Sequence, residues 1–164
     1  MDSSQIAPPI ERVDTQISDS YLSFYLNQQT PALLLMKYAQ EVIVVPTARL
    51  SPMPNMPDCV LGLLNRRSRV LWVINLAQLL NLPVADTIAQ QYQIIIIHVG
   101  QVKLGLVVQS IKGVTHFPHQ SSQAPTEIFS NLAPYLNGCI SQGDEMLIVL
   151  DAEKIANSPN LQPY

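Results

Sequence analysis

Residues with chemically reactive side chains are few in this sequence and widely separated. His116 and His119 stand three positions apart, but Pro118 between them excludes the helix that would bring both to one face, and no third metal ligand lies close by in the sequence. His98 lies within an apolar run, as expected for a histidine held in a strand. The chain has no glycine-rich phosphate loop, nucleophile elbow or CxxC motif. We therefore expect no catalytic, metal-binding or cofactor-binding residues, and no enzymatic activity.

The densest charged feature is a turn that contains Arg66, Arg67 and Arg69. An apolar approach with Gly62 precedes it, and the apolar run 70–74 follows it before a short leucine-rich tail. An apolar run bounded by polar turn residues is typical of a buried β-strand, and the leucine spacing in the tail fits one face of a helical turn. The pattern predicts a strand, a basic turn, a buried strand and a short helix. We expect the turn to contact a partner.

This unit occurs twice. A shift of 76 positions places Gly62 on Gly138 and residues 70–74 on residues 146–150, and a shift of 72 places Val42 on Val114 and Pro46 on Pro118. Such internal similarity predicts two similar halves. The second copy lacks the arginines, since its turn carries other residues: Gln142, Gly143 and Glu145. The basic turn therefore belongs to the first half alone.

The composition of the chain limits the classes of partner that it is expected to bind. A net charge of −3 argues against nucleic-acid binding, and the apolar run 94–99 is far shorter than the roughly 20 residues that span a bilayer. The N-terminal residues lack the apolar stretch of a secretory signal, so we expect a cytoplasmic protein without membrane insertion. Charged residues make up only 13% of the chain, which indicates a surface partly covered by other proteins; a surface rich in uncharged polar residues is the alternative.

The sequence pattern predicts about ten short strands separated by turns, and it contains few long helical patterns. This favours an all-β fold of two five-stranded barrels with a groove between them. Residues 92–99 and 102–108 form near-continuous apolar runs around a glycine turn, which predicts a hairpin buried on both faces. Residues 1–19 are expected to be a flexible leader and residues 157–164 a loose tail. Cys59 and Cys139 are expected to be small buried side chains.

The segment 54–80 resembles the region of CheW-like chemotaxis coupling proteins in which a proline-containing loop leads to Gly-(Val/Leu)-Ile-Asn-Leu-Arg-Gly, a strand and an Asp-Leu ending. Residues 104–111 are similar to the family's Gly-Leu-Val-Val-Asp-x-Val strand, and residues 146–155 to its C-terminal ending. The resemblance covers residues 20–156. It implies two SH3-like five-stranded barrels with short helices, and it is compatible with strand exchange between the two halves.

For function, the resemblance implies an adaptor that joins a CheA-type histidine kinase, through the regulatory domain of that kinase, to the cytoplasmic tip of methyl-accepting chemoreceptors. Asn65 and Arg67 match the family's Asn and Arg, and Glu41 with Val42 match the Glu-hydrophobic pair of the strand that faces the groove. Arg66 and Arg69 enlarge the basic turn. The partner-binding residues expected on this basis are Glu41, Val42, Asn65, Arg66, Arg67 and Arg69.

The sequence departs from the family pattern at four positions. Arg66 replaces a Leu, Ser68 replaces a Gly, and Asn75 and Gln109 replace two acids. The loss of Gly indicates either a turn that does not need positive φ or one in which Ser is tolerated at a cost. The basic turn together with Trp72 resembles the variants of pilus-driven motility and phototaxis pathways more than the flagellar ones.

Other functions remain open at this point. The chain could be a free-standing regulatory barrel that binds a small ligand in its groove, or a copy of a kinase regulatory domain that competes for the kinase. An enzyme is the third class, and it finds no support in the sequence. Co-elution with a kinase fragment is expected for the adaptor, whereas stabilisation by a metabolite alone is expected for a ligand-binding module.

Overall fold

The structure is a computed structural model that describes residues 18–84, 89–118, 123 and 127–161. The strands of this part are β1 (Ser18–Tyr25), β2 (Pro31–Leu35), β3 (Ala39–Pro46), β4 (Val60–Arg66), β5 (Arg69–Asn75), β6 (Gln91–Val99), β7 (Val102–Val108), β8 (Ser110–Pro118), β9 (Leu136–Gln142) and β10 (Glu145–Leu150). The α-helices are α1 (Leu76–Leu79) and α2 (Ala152–Ala156), and the 3-10 helices are Thr47–Arg49, Glu127–Tyr135 and Pro159–Leu161. No helix in these ranges is long and apolar enough to cross a membrane.

The ten strands form two five-stranded sheets with the same arrangement. Sheet A has the order β8-β1-β2-β10-β9, and sheet B has the order β3-β6-β7-β5-β4. Replacing each strand by the one five places later in the chain converts one order into the other. Each sheet therefore combines a hairpin from one half of the chain with three strands from the other half, through antiparallel β3–β6 and β1–β8 pairing.

The correspondence extends to local irregularities. Each of β4 and β9 carries a bulge, one residue before Gly62 in the first copy and one residue before Gly138 in the second. These glycines have φ of 144° and 153°. A Cβ atom on Gly62 would lie 2.3 Å from the carbonyl oxygen of Ser51, so the bulge needs glycine there.

The short helices that follow β5 and β10 also correspond. Asn75 caps α1 by accepting a hydrogen bond from the backbone N–H of Gln78, and Asp151 caps α2 by accepting from Glu153 and Lys154. A side-chain oxygen at this position satisfies backbone donors that the first helical turn leaves without partners. The Asn replacing an acid at position 75 therefore keeps the capping role.

An additional backbone bridge links the edges of each sheet. In sheet B, the Ser51 N–H donates to the Leu63 carbonyl at 2.8 Å and the Leu63 N–H donates to the Ser51 carbonyl at 2.9 Å. The same pair of bonds joins Gln123 to Cys139 beside sheet A, at 2.7 and 2.8 Å. Ser51 follows β3, and Leu63 lies on β4 at the opposite edge of the sheet, so the bridge curls sheet B into a barrel.

In the part of the chain that the structure describes, buried apolar side chains form three clusters. Alternate residues of β6 point in opposite directions: Ile94 and Ile96 belong to the core of the sheet B barrel, whereas Ile95 and Ile97 belong to a larger cluster shared with sheet A. A third, smaller cluster lies within sheet A. The predicted burial of this hairpin on both faces is confirmed. Cys59 and Cys139 are also buried, as expected, and burial raises the pKa of the Cys59 thiol.

Three predictions about individual segments are wrong. Val70 and Trp72, assigned to a buried strand, are 63% and 37% exposed. The first strand begins at Ser18, so the last two residues of the expected leader 1–19 belong to β1. The tail is not loose over its first residues, because Ser158 is buried and its hydroxyl lies 2.8 Å from that of Tyr135. Residues 1–17 of the expected leader lie outside the described residues. The sequence also predicts a linker at residues 83–91 that holds a helical turn, and residues 85–88 of that linker lie outside the described residues as well.

Candidate partner-binding site

The basic turn is a two-residue hairpin loop between β4 and β5. Arg66 and Arg69 are cross-strand partners, and the two loop residues Arg67 and Ser68 have φ of 53° and 64°. Two successive positive φ values define a type I′ turn, which favours Asn and Gly because other side chains crowd the left-handed conformation. Of the two expectations for Ser68, the turn without positive φ is wrong, and Ser occupies a strained position.

The turn brings two arginines against one glutamate. Arg66 Nη2 donates a hydrogen bond to Glu41 Oε2 at 2.5 Å, and Arg67 Nη2 lies 3.3 Å from the same oxygen. Ile43 and Val45 of β3 and Leu64 of β4 face the barrel core, and Glu41 and Arg66 lie on the same sides of their strands. The ion pair therefore sits at the end of the barrel core, across the seam between the two edge strands.

The charges at this seam stabilise each other. The hydrogen bond from Arg66 lowers the pKa of Glu41, burial opposes this shift, and the positive charges of Arg66, Arg67 and Lys103 add to the lowering. The same hydrogen bond raises the pKa of Arg66. The Arg66 Nε is buried and has no hydrogen-bond partner. Glu41 is thus held in its ionised form, and its negative charge offsets the positive charge of the partly buried Arg66.

The two arginines differ in exposure. The side chain of Arg66 is 34% exposed and that of Arg67 is 77% exposed. Asn65 and Arg69 are also exposed on either side of them, and Val42 next to Glu41 is 44% exposed. Of the six residues expected from the sequence, the structure brings Glu41, Arg66 and Arg67 into contact. It places Val42, Asn65 and Arg69 as their neighbours along the strands.

Apolar side chains on the outer face of the barrel flank this cluster. Val44 on β3 is 55% exposed, and Val70 and Trp72 on β5 are exposed as described above. The sequence analysis missed all three as candidate contact residues. The signal was the alternation set by Leu71 and Val73, which occupy the barrel core and so direct Val70 and Trp72 outwards. We call Val42, Val44, Val70, Trp72 and the turn residues 65–69 the seam surface.

A separate cavity of about 520 Å³ is lined largely by side-chain amides. Asn75 and Gln109, which replace two acids of the family pattern, both line it. Three of these amides are engaged by the fold. Asn75 accepts a hydrogen bond from the Gln78 N–H, and the Gln93 Oε1 accepts from the Ile111 N–H. Asn27 donates to the Pro83 carbonyl and accepts from the Gln29 N–H. Within the described ranges, no three His, Cys, Asp or Glu residues approach closely enough to hold a metal ion.

The described strands form two SH3-like barrels that pack against a shared apolar cluster, and the barrel of sheet B displays a mixed apolar and basic surface. The chain belongs to the CheW-like domain family, whose model matches residues 20–160.

Individual relatives agree with this assignment. The chain is 28% identical over 158 residues to the chemotaxis protein CheW of Treponema pallidum, covering 92% of this chain and 91% of that protein. It is 24% identical over 134 residues to the chemotaxis protein CheW of Thermotoga maritima, covering 82% and 85%. The crystal structure of the scaffolding protein TtCheW from Thermoanaerobacter tengcongensis superposes with a TM-score of 0.76 at 18% identity, covering 88% of this chain and 96% of that one, and so shows the fold.

Proposed function

We propose that the protein couples a CheA-type histidine kinase, through the regulatory domain of the kinase, to the cytoplasmic tip of methyl-accepting chemoreceptors. The observation that carries this proposal is the match to the CheW-like family across residues 20–160. The role is structural: the protein holds two partners together and performs no reaction of its own. Glu41, Val42, Asn65, Arg66, Arg67 and Arg69 are proposed as partner-binding residues.

The seam surface supports this role physically. Burial of exposed apolar area contributes about 25 cal/mol per Å², and Val42, Val44, Val70 and Trp72 offer such area around one corner of the barrel. Arginine and tryptophan are enriched at protein interfaces and at the residues that dominate binding energy. The arginines of the turn can fix the register of a partner through charge-assisted hydrogen bonds to its carboxylates.

The test uses the full chain with a kinase regulatory-domain fragment and a receptor-tip fragment. We expect the chain to co-elute with each fragment and to bring both into one complex on size exclusion. Arg67→Glu should weaken at least one of these contacts, whereas Arg49→Glu, which makes the same charge change at an exposed site beyond the other end of β3, should not. Failure of the wild-type chain to bind either fragment would contradict the proposal.

The amide-lined cavity supports the second candidate, a regulatory module that binds a small neutral ligand. Thermal stabilisation by a metabolite, without binding to kinase or receptor fragments, would favour that module over the adaptor. Binding to the kinase fragment but not to the receptor fragment would instead favour a competitor for the kinase.

The pathway is a finer proposal. The basic turn and Trp72 resemble the variants of pilus-driven motility and phototaxis systems, so we propose a pathway of that type. The measurement is affinity for kinase fragments of the same organism taken from pilus-type and flagellar-type systems. Tighter binding to a flagellar-type kinase would contradict the assignment.

A further inference from the structure

The seam holds one arginine more than its glutamate needs. We propose that Arg66 neutralises Glu41 within the molecule and thereby leaves Arg67 available to bind a carboxylate of a partner protein. The inference rests on the proposed function and divides the roles of its residues: Arg67 contacts the partner, whereas Glu41 and Arg66 act only through Arg67, by holding or releasing it.

The contacts of the two arginines differ in kind. Arg66 donates a hydrogen bond to Glu41 at 2.5 Å, whereas the Arg67 guanidinium forms a longer ion pair with the same oxygen at 3.3 Å. A single carboxylate charge faces two guanidinium charges, and Lys103 lies close enough to influence the pKa of Glu41 as well. The cluster therefore carries surplus positive charge.

The difference in burial between the two arginines determines which of them stays paired with Glu41. Arg66 lies on the core-facing side of β4, two residues after Leu64, and its Nε is buried. A guanidinium in such a position loses hydration, and removing its carboxylate partner would leave that loss without compensation. Arg67 sits at the apex of the hairpin with a side chain 77% exposed, so its guanidinium can leave Glu41 at little cost.

The position of Arg67 also defines what it would bind. The planar guanidinium pairs best with a carboxylate, to which it can make two parallel hydrogen bonds. Val42 follows Glu41 on the exposed face of β3. The partner feature that fits is an Asp or Glu beside an apolar side chain on a protein segment, with the carboxylate on Arg67 and the apolar side chain towards Val42.

The test is a set of variants assayed against the kinase and receptor fragments. In Arg66→Leu, Glu41 loses its hydrogen-bond donor and pairs with Arg67, so affinity should fall about fivefold to tenfold, similar to Arg67→Gln. In Arg66→Leu/Glu41→Gln, nothing holds Arg67 inside the molecule, and affinity should return to within about twofold of the wild type. The added substitution should not rescue Arg67→Gln.

A control variant separates this mechanism from a general change in the electrostatic potential of the protein. Glu145 is exposed in the equivalent turn of the other barrel, and Glu145→Gln removes one carboxylate just as Glu41→Gln does. Arg66→Leu/Glu145→Gln should stay as weak as Arg66→Leu. If Glu41→Gln fails to rescue Arg66→Leu, or if Glu145→Gln rescues it equally well, the proposal is overturned. Unchanged affinity of Arg66→Leu would overturn it too.

A second measurement needs no partner. The Arg67 Nε–Hε resonance of the isolated chain should exchange rapidly with solvent in the wild type and become protected in Arg66→Leu, when Glu41 takes Arg67. Addition of Glu41→Gln should abolish that protection. Equal protection in all three proteins would contradict the inference even if both fragments bind. Absence of fragment binding together with the expected protection pattern would reject the proposed function while leaving the competition between the arginines established.

Discussion

Glu41 and Arg66 are joined by a 2.5 Å hydrogen bond, although they lie on β3 and β4, the two outermost strands of sheet B. The bond crosses the seam at which the sheet closes on itself, and the backbone bridge between Ser51 and Leu63 crosses the same seam farther along. The ion pair therefore belongs both to the barrel and to the surface proposed for partner binding. The predictions below separate these two roles.

Reversal of charge at the apex of the turn tests the surface. Arg67→Glu should weaken binding to the fragment that contacts the seam by more than about tenfold, because an attractive contact with a carboxylate becomes a repulsive one. The Arg67 side chain is mostly exposed, so the thermal unfolding midpoint should change little. Isothermal titration and circular dichroism measure the two effects. Unchanged affinity would mean that the turn is only solvated.

Acid titration tests the ion pair. The hydrogen bond from Arg66 makes the pKa of Glu41 lower in the folded chain than in the unfolded chain. Such a group stabilises the fold fully above its unfolded pKa, and this stability is lost as the pH falls through the lower folded pKa. Below the ordinary glutamate value of 4.5, the free energy of unfolding of the wild type should therefore fall more steeply than that of Glu41→Gln. Parallel curves from urea unfolding at each pH would contradict the prediction.

Alanine substitutions at two glycines form a matched pair that tests the bulge of β4. Gly62→Ala would place a methyl group 2.3 Å from the Ser51 carbonyl oxygen at a φ of 144°, and we expect a loss of about 2–4 kcal/mol in the free energy of unfolding. Gly100→Ala adds a methyl group into open space at a φ of 59°, so only about 1–2 kcal/mol should be lost. Urea unfolding compares them. An equal loss in the two variants would argue against the close approach at Ser51.

The strained serine of the turn offers a stabilising change. Ser68 has a φ of 64°, and Ser68→Gly should raise the free energy of unfolding by about 0.5–1 kcal/mol, because relief of the left-handed strain exceeds the added entropy of the unfolded chain. Binding at Arg67 should be retained. A lower unfolding midpoint in Ser68→Gly would show that the serine side chain makes a contribution of its own.

Much of the architecture could be predicted from the sequence because β-strands leave local signals. Continuous apolar runs such as 94–97 indicate strands buried on both faces, and the shifts of 72 and 76 residues align strands that hold equivalent places in the two sheets. The exposure of Val70 and Trp72 could not be predicted in the same way. Strand alternation puts Val70 and Trp72 on one face of β5 and Leu71 with Val73 on the other, but which of the two faces meets the core is a tertiary property that a continuous apolar run does not reveal.

The members of the charged cluster could be named from the sequence, but their contacts could not. The resemblance indicated Glu41 and Arg67 together, and the structure shows that Arg66 is the residue that donates the hydrogen bond. Sequence spacing could not separate these roles, because the side on which each arginine lies follows from the register of β4 against β5 and from the turn type. The positive φ of Ser68 was likewise hidden, since serine seldom marks a left-handed residue.

The exchanged strands make the two barrels mechanically inseparable. Since β3 is hydrogen-bonded to β6 and β8 to β1, any force that draws one barrel from the other must shear backbone ladders rather than open a hinge. Two partners held on opposite barrels would therefore be joined by a stiff connection, and a displacement of one partner would be transmitted to the other.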